Sequence, residues 1–93
     1  MKYKTIYKVE KGKMLRLSFD VEENKIKEIE IRGDFFLYPE EELENMEKFL
    51  IGKNIQEIGN ELSDFQEDRQ IKFFGFSPRD IQEAINNAME TNN

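Results

Sequence analysis

Leu15, Leu17, Phe19 and Val21 alternate with Arg16, Ser18 and Asp20. That two-residue period belongs to a strand with one buried face. Residues 4–9, Lys-Thr-Ile-Tyr-Lys-Val, are β-branched and aromatic enough for a preceding strand. Lys11-Gly12-Lys13 between them reads as a turn, with Gly12 free to take positive φ. Residues 22–25, Glu-Glu-Asn-Lys, form a second turn, in which Asn24 tolerates the left-handed region. Ile29 and Ile31 then alternate with Glu28 and Glu30. Strands over about 3–33, joined by two short turns, predict a three-stranded antiparallel meander. Each strand has one polar face, so the other face needs a cover.

The rest of the chain changes period. Pro39 followed by Glu40, Glu41 and Glu42 reads as a helix start, with carboxylates near the positive end of the dipole. Leu43, Met46 and Leu50 share a face, and Gly52 reads as the stop, giving a helix over about 39–51. Asn54 with Glu57 three residues on resembles an imperfect capping box, and Ile55, Ile58, Gly59 and Leu62 form a stripe. These predict a second helix over about 54–64, with Gly59 allowing close approach of another backbone. Residues 64–70, polar apart from Phe65, read as a loop, and residues 71–76 as a brief strand or an extended linker. Ser77, Pro78 and Asp80 then supply an N-cap, a first-turn proline and an acidic third position. Ile81, Ala84, Ile85, Ala88 and Met89 follow at helical spacing, predicting a helix over about 78–90 with fraying beyond it. The expected architecture is α+β: a three-stranded meander with about three helices on one face, in two layers.

Composition narrows the chemistry. Ninety-three residues make a single domain, with 38% hydrophobic and 37% charged residues. Ile, Leu, Val and Phe make up 26 of the 93, enough for a core. A domain this small is marginal alone, which favours a partner subunit. The chain has no Cys and no His. Disulfides, thiolate nucleophiles, zinc–thiolate sites, Ser-His-Asp triads and imidazole acid–base catalysis are therefore excluded. No apolar run approaches the roughly 18 residues of a membrane span, and residues 1–4 lack a signal-peptide pattern, so the expected location is the cytoplasm.

The charge is uneven. The net charge is -6, yet residues 1–16 carry six basic groups against one acidic, and residues 34–93 carry five basic against fourteen acidic. The acidic part disfavours nucleic acid as a partner. The lysine-rich start serves either to blunt an edge strand or to face an anionic partner. Glu40, Glu41 and Glu42 are consecutive, so on a helix they diverge and do not converge on a cation. Gly33 and Gly12 are isolated, with no phosphate-binding loop around them. Tyr3 and Tyr7 among the lysines suit a small sheet as well as base stacking.

The most unusual stretch is Arg32-Gly33-Asp34-Phe35-Phe36-Leu37-Tyr38-Pro39. Four large apolar residues crowd between strand and helix directly after Gly-Asp. In one reading the Phe pair plugs the sheet–helix junction. In the other, part of the aromatic group stays exposed as an anchor for a partner.

The order Lys11-Gly12-Lys13-Met14-Leu15-Arg16, Phe19-Asp20-Val21, Ile26-Lys27-Glu28-Ile29-Glu30-Ile31, then Gly33-Asp34-Phe35-Phe36, resembles the accessory C-terminal domain of lipoate–protein ligases. The likeness continues through Pro39, Leu43, Glu47 and Leu50-Ile51-Gly52 and closes with Gly75-Phe76-Ser77-Pro78-Arg79-Asp80-Ile81. In that family a large domain binds lipoate and ATP, forms lipoyl-adenylate and transfers lipoate to a lysine of an acceptor domain. The catalytic lysine and phosphate-binding residues lie in that large domain, and none transfers onto this chain. Some members, notably archaeal ones, encode the two parts separately. The resemblance therefore implies a free-standing, non-catalytic subunit, inactive alone, in a heterodimer with a catalytic subunit. It further implies that lipoate, ATP and Mg belong to the complex and that this chain alone binds no cofactor or metal. The alternative is a free-standing interaction module, an adaptor or inhibitor, unrelated to lipoylation. The expected partner-binding residues are Gly33, Asp34, Phe35 and Phe36, with Lys11 and Lys13 at the rim and Phe73, Phe74 and Phe76 as the next cluster. Neither nucleic acid nor membrane is an expected partner.

Overall fold

The alternation in residues 2–33 folds as β1 (Lys2–Lys8), β2 (Met14–Glu22) and β3 (Lys25–Gly33), an antiparallel sheet in sequence order. The structure is a computed structural model that describes residues 1–9, 11 and 13–91. Gly12 of the first expected turn and the last two residues of the expected frayed end lie outside the described residues. In the β2–β3 turn both Glu23 and Asn24 take positive φ, 53° and 64°. That is the backbone twist a two-residue hairpin needs. A bulge between Asp20 and Val21 shifts the register, so Val21 faces Ile26 while Asp20 faces Glu28. Leu15, Leu17, Phe19 and Val21 are all buried, and the residues between them are exposed or half-buried. One sheet face therefore builds the core.

Three helices follow: α1 (Glu42–Leu50), α2 (Ile58–Arg69) and α3 (Pro78–Thr91). α3 packs against β1 and β2, α1 against β3, and α2 chiefly against α3. Met46 and Leu50 of α1, Ile58 and Leu62 of α2, and Ile81 and Ile85 of α3 are fully buried. Ser77 caps α3 as expected: its Oγ accepts from Asp80 N at 3.3 Å, and Asp80 Oδ2 accepts in return from the Ser77 backbone N–H at 2.8 Å, closing a capping box. Gly59 does sit against another element, since a side chain there would begin 3.2 Å from Cβ of Gln82 on α3.

Two helix boundaries need correction. The first helix starts at Glu42, three residues after Pro39. The expected helix over 54–64 instead begins at Ile58 and runs to Arg69, through most of the stretch read as a loop. The reason is tertiary. Residues 52–55 seal the open edge of β3: Gly52 N donates to Ile26 O at 2.7 Å, Ile26 N to Lys53 O at 2.9 Å, and Ile55 N to Asn24 O at 2.9 Å. Asn54 pairs with Lys25 as an isolated bridge, and its side chain accepts from Gln56 N at 2.8 Å. Backbone groups committed to a strand edge cannot also close helical turns. Once past that edge, Ile58, Leu62 and Phe65 supply the buried stripe that carries α2 to Arg69.

A second sheet is present. β4 (Phe36–Tyr38) pairs antiparallel with β5 (Lys72–Phe74), placing Phe36 opposite Phe74, Leu37 opposite Phe73 and Tyr38 opposite Lys72. Residues 71–76 are thus in part a strand, and its partner is the aromatic stretch after Gly33.

Candidate partner-docking surface

The surface begins where β3 ends. Gly33 has φ 147°, and a Cβ there would lie 2.1 Å from the carbonyl oxygen of Met14, so only glycine fits. The next amide, Asp34 N, donates to that same oxygen at 2.9 Å. The chain thus turns tightly under the start of β2 before entering β4. Gly75 (φ 90°) comes to the same place from β5, where an added Cβ would meet Asp34 O at 3.1 Å. The β1–β2 hairpin closes the third side, with Val9 N bonded to Lys13 O at 2.7 Å.

These turns enclose an open depression of about 600 Å³. It gathers all six residues named from the sequence, Lys11, Lys13, Gly33, Asp34, Phe35 and Phe36, and adds Phe74 and Gly75. The lysines of β1 lie elsewhere. Lys2 and Lys4 line a different cleft of about 470 Å³ on the main sheet, shared with Glu28, Glu30, Glu44 and Lys48.

The aromatic residues divide by strand parity, as side chains of a two-stranded ribbon must. Leu37 is buried and Phe73 packs against the core. Phe73 stacks on buried Phe76 at 4.5 Å between ring centroids, and Phe35 tilts against Phe76 at 4.6 Å. These rings are the junction plug. Phe36, Tyr38 and Phe74 point the other way and are 55%, 65% and 43% exposed. Phe36 and Phe74 stack across the ribbon at 4.6 Å, with an interplanar angle of 13°. The two aromatic clusters, separate in sequence, form one surface: Phe35 and Leu37 serve as the junction plug, while Phe36 and Tyr38 stay exposed. Phe35 faces the core, and Phe74, ranked second from sequence, stands beside Phe36. Pairing between three-residue strands so far apart in the chain leaves no local signal, so the ribbon itself was not legible.

Elsewhere the polar groups tie elements together. The Tyr7 phenol on β1 donates to Glu83 Oε2 on α3 at 2.5 Å, and this bond pushes its pKa up to about 12. Of the Glu40-Glu41-Glu42 run, Glu42 turns inward to Arg69 while the other two are exposed. Among the described residues no three acidic, His or Cys side chains converge on a point that would hold a metal ion. Among them, too, no helix is long and apolar enough to cross a membrane.

Comparison with known proteins agrees with this architecture. Residues 1–85 match the family described as "Bacterial lipoate protein ligase C-terminus". The chain is 35% identical over 85 residues to the "Lipoate-protein ligase A subunit 2" of Thermoplasma acidophilum, covering 91% of this chain and 88% of the relative. It also superposes, with a TM-score of 0.79 and 33% identity, on a chain from the solved archaeal lipoylation system of Thermoplasma acidophilum, described as a bi-partite lipoate protein ligase and its E2 lipoyl domain. That match covers 91% of this chain and 94% of the other. A family match over nearly the whole length, borne on the same strands and helices, settles the affiliation: the chain belongs to the lipoate protein ligase C-terminal family.

Proposed function

We propose that this chain is the small, non-catalytic subunit of a two-part lipoate–protein ligase. In this reading it serves the half-reaction in which the lipoate carboxylate displaces pyrophosphate from ATP to give lipoyl-adenylate. The carrying observation is the match to a relative named as a ligase subunit, 88% of whose own length this chain covers. Similarity over nearly all of a relative named as a ligase subunit supports the role of a partner subunit. The inventory of side chains supports the same division of labour. Gly12 and Gly33 are isolated in the sequence, with no glycine-rich loop around them to cradle a nucleotide's phosphates, and no three carboxylates converge among the described residues. In this reading lipoate, ATP and magnesium are held by the catalytic subunit. Its work is to bind and order that subunit, in the cytoplasm.

The experiment is pyrophosphate release from lipoate and ATP by the catalytic subunit, with and without this chain. Stoichiometric stimulation is expected, with no turnover by this chain alone. Turnover by the purified chain, or no change in the catalytic subunit's rate, overturns the reading. Inhibition would favour the adaptor or inhibitor alternative.

A further inference from the structure

We infer that the outward face of the β4–β5 ribbon is the seat of the catalytic subunit. The matching area on that subunit is an apolar patch rimmed by carboxylates. The inference rests on the subunit reading above and adds which face is used and what chemistry meets it.

Three observations carry it. First, the ribbon concentrates exposed aromatic surface: Phe36 and Phe74 stacked as a pair, with Tyr38 beyond them. Aromatic side chains held at a surface are the commonest anchors of protein interfaces. Second, the anchors are preorganised. Buried Leu37 and the Phe73 and Phe76 stack fix the ribbon from behind, so little side-chain freedom is lost on binding. Third, the charge is inverted locally. The chain carries net charge -6, yet Lys11 and Lys13 stand in the depression beside the stack against a single carboxylate, Asp34, and Lys72 stands opposite Tyr38. Among the described residues none of these three lysines has a carboxylate within ion-pair distance. An acidic-rimmed partner is attracted to this face and repelled by most of the remaining surface, which fixes its orientation. The cleft on the main sheet lacks this character, because its lysines are outnumbered there by Asp20, Glu28, Glu30, Glu44 and Glu47.

The test measures affinity of the full chain for the ligase catalytic subunit by titration calorimetry, with circular dichroism as the folding control. Wild-type chain should bind. Phe74→Ala and Phe36→Ala should each weaken binding by about thirty-fold or more. Tyr38 is the most exposed of the three, so Tyr38→Ala keeps the test open should a Phe variant unfold. The triple variant Lys11→Glu, Lys13→Glu, Lys72→Glu should slow association, followed by surface plasmon resonance, about ten-fold at low salt and far less at high salt. Ile51→Ser, a half-exposed apolar site in the other cleft, should bind within about two-fold of wild type. If wild type binds and folded Tyr38, Phe and lysine variants bind equally well, the ribbon is not the docking face, and the subunit reading survives. If wild type itself fails to bind, the subunit reading falls. If ribbon variants abolish self-association of this chain but leave the catalytic subunit's affinity intact, the occupant is a second copy and the inference is overturned.

Discussion

Arg69, in the last turn of α2, clasps the carboxylate of Glu42, in the first turn of α1, with two hydrogen bonds: Nε to Oε2 at 2.6 Å and Nη2 to Oε1 at 2.9 Å. Asn45 adds a third, to Oε1 at 2.6 Å. These bonds, Arg69's foremost, hold the Glu42 carboxyl below its ordinary value of 4.5. A carboxyl depressed on folding stabilises the fold above its unfolded pKa and loses that contribution as pH falls through the lower, folded value. Glu42→Gln should therefore lower the Tm at neutral pH, and the gap from wild type should narrow below pH about 4.5. Thermal melts of both proteins across that range check this. A gap independent of pH would show that the carboxylate charge contributes nothing.

The opposite sign applies to Tyr7. Its phenol is pushed from 10.0 to about 12, first by its hydrogen bond to Glu83, then by burial and by the Glu83 charge. An acid raised on folding stabilises below its unfolded pKa and loses that contribution as pH climbs through the folded one. Alkaline titration of tyrosinate absorbance should show one late step near pH 12 that Tyr7→Phe removes. The stability difference between the two proteins should shrink between pH 10 and about 12.

Two glycines with positive φ should respond very differently to alanine. At Gly33 the new methyl would overlap Met14 O at 2.1 Å, whereas at Gly52 (φ 88°) nothing lies within 4 Å. Gly33→Ala should cost at least about 2 kcal/mol and disturb the turn into β4, and Gly52→Ala only about 1 kcal/mol of backbone strain. Chemical denaturation of the two variants side by side checks the ranking.

Gln82 of α3 completes the start of α2. Its Oε1 accepts from Gly59 N at 2.9 Å, and its Nε2 donates to Ile55 O at 2.8 Å. Gln82→Ala should cost about 1–2 kcal/mol, as loss of a helix cap does. Gln82→Glu keeps the acceptor for Gly59 but loses the donor for Ile55, so its denaturation midpoint should fall between those of wild type and Gln82→Ala.

The legible parts of this fold are those whose causes are local. Strand alternation in residues 15–21, and Ser77, Pro78 and Asp80 before a helical stripe, carry their own reasons, and both elements form where the sequence puts them. The misplaced start of α2 shows the limit. Asn54 and Ile55 look like a helix opening, but the edge of β3 claims their backbone, and nothing nearby in sequence announces that demand. The surface was half legible for the same reason. Gly33 and Asp34 mark a turn and the lysines a local charge. Which Phe faces outward depends on pairing Phe36 with Phe74, a long-range event.

That pairing also governs when the aromatic strip comes into being. One ring of the stack is supplied ahead of α1 and α2 and the other behind them, so α1 and α2 form an excursion whose two ends the ribbon ties together. A chain halted before residue 72, or one whose helices have not closed, displays a lone Phe36 and no stack. The strip is thus a sign, carried on the outside of the molecule, that the excursion through α1 and α2 has closed.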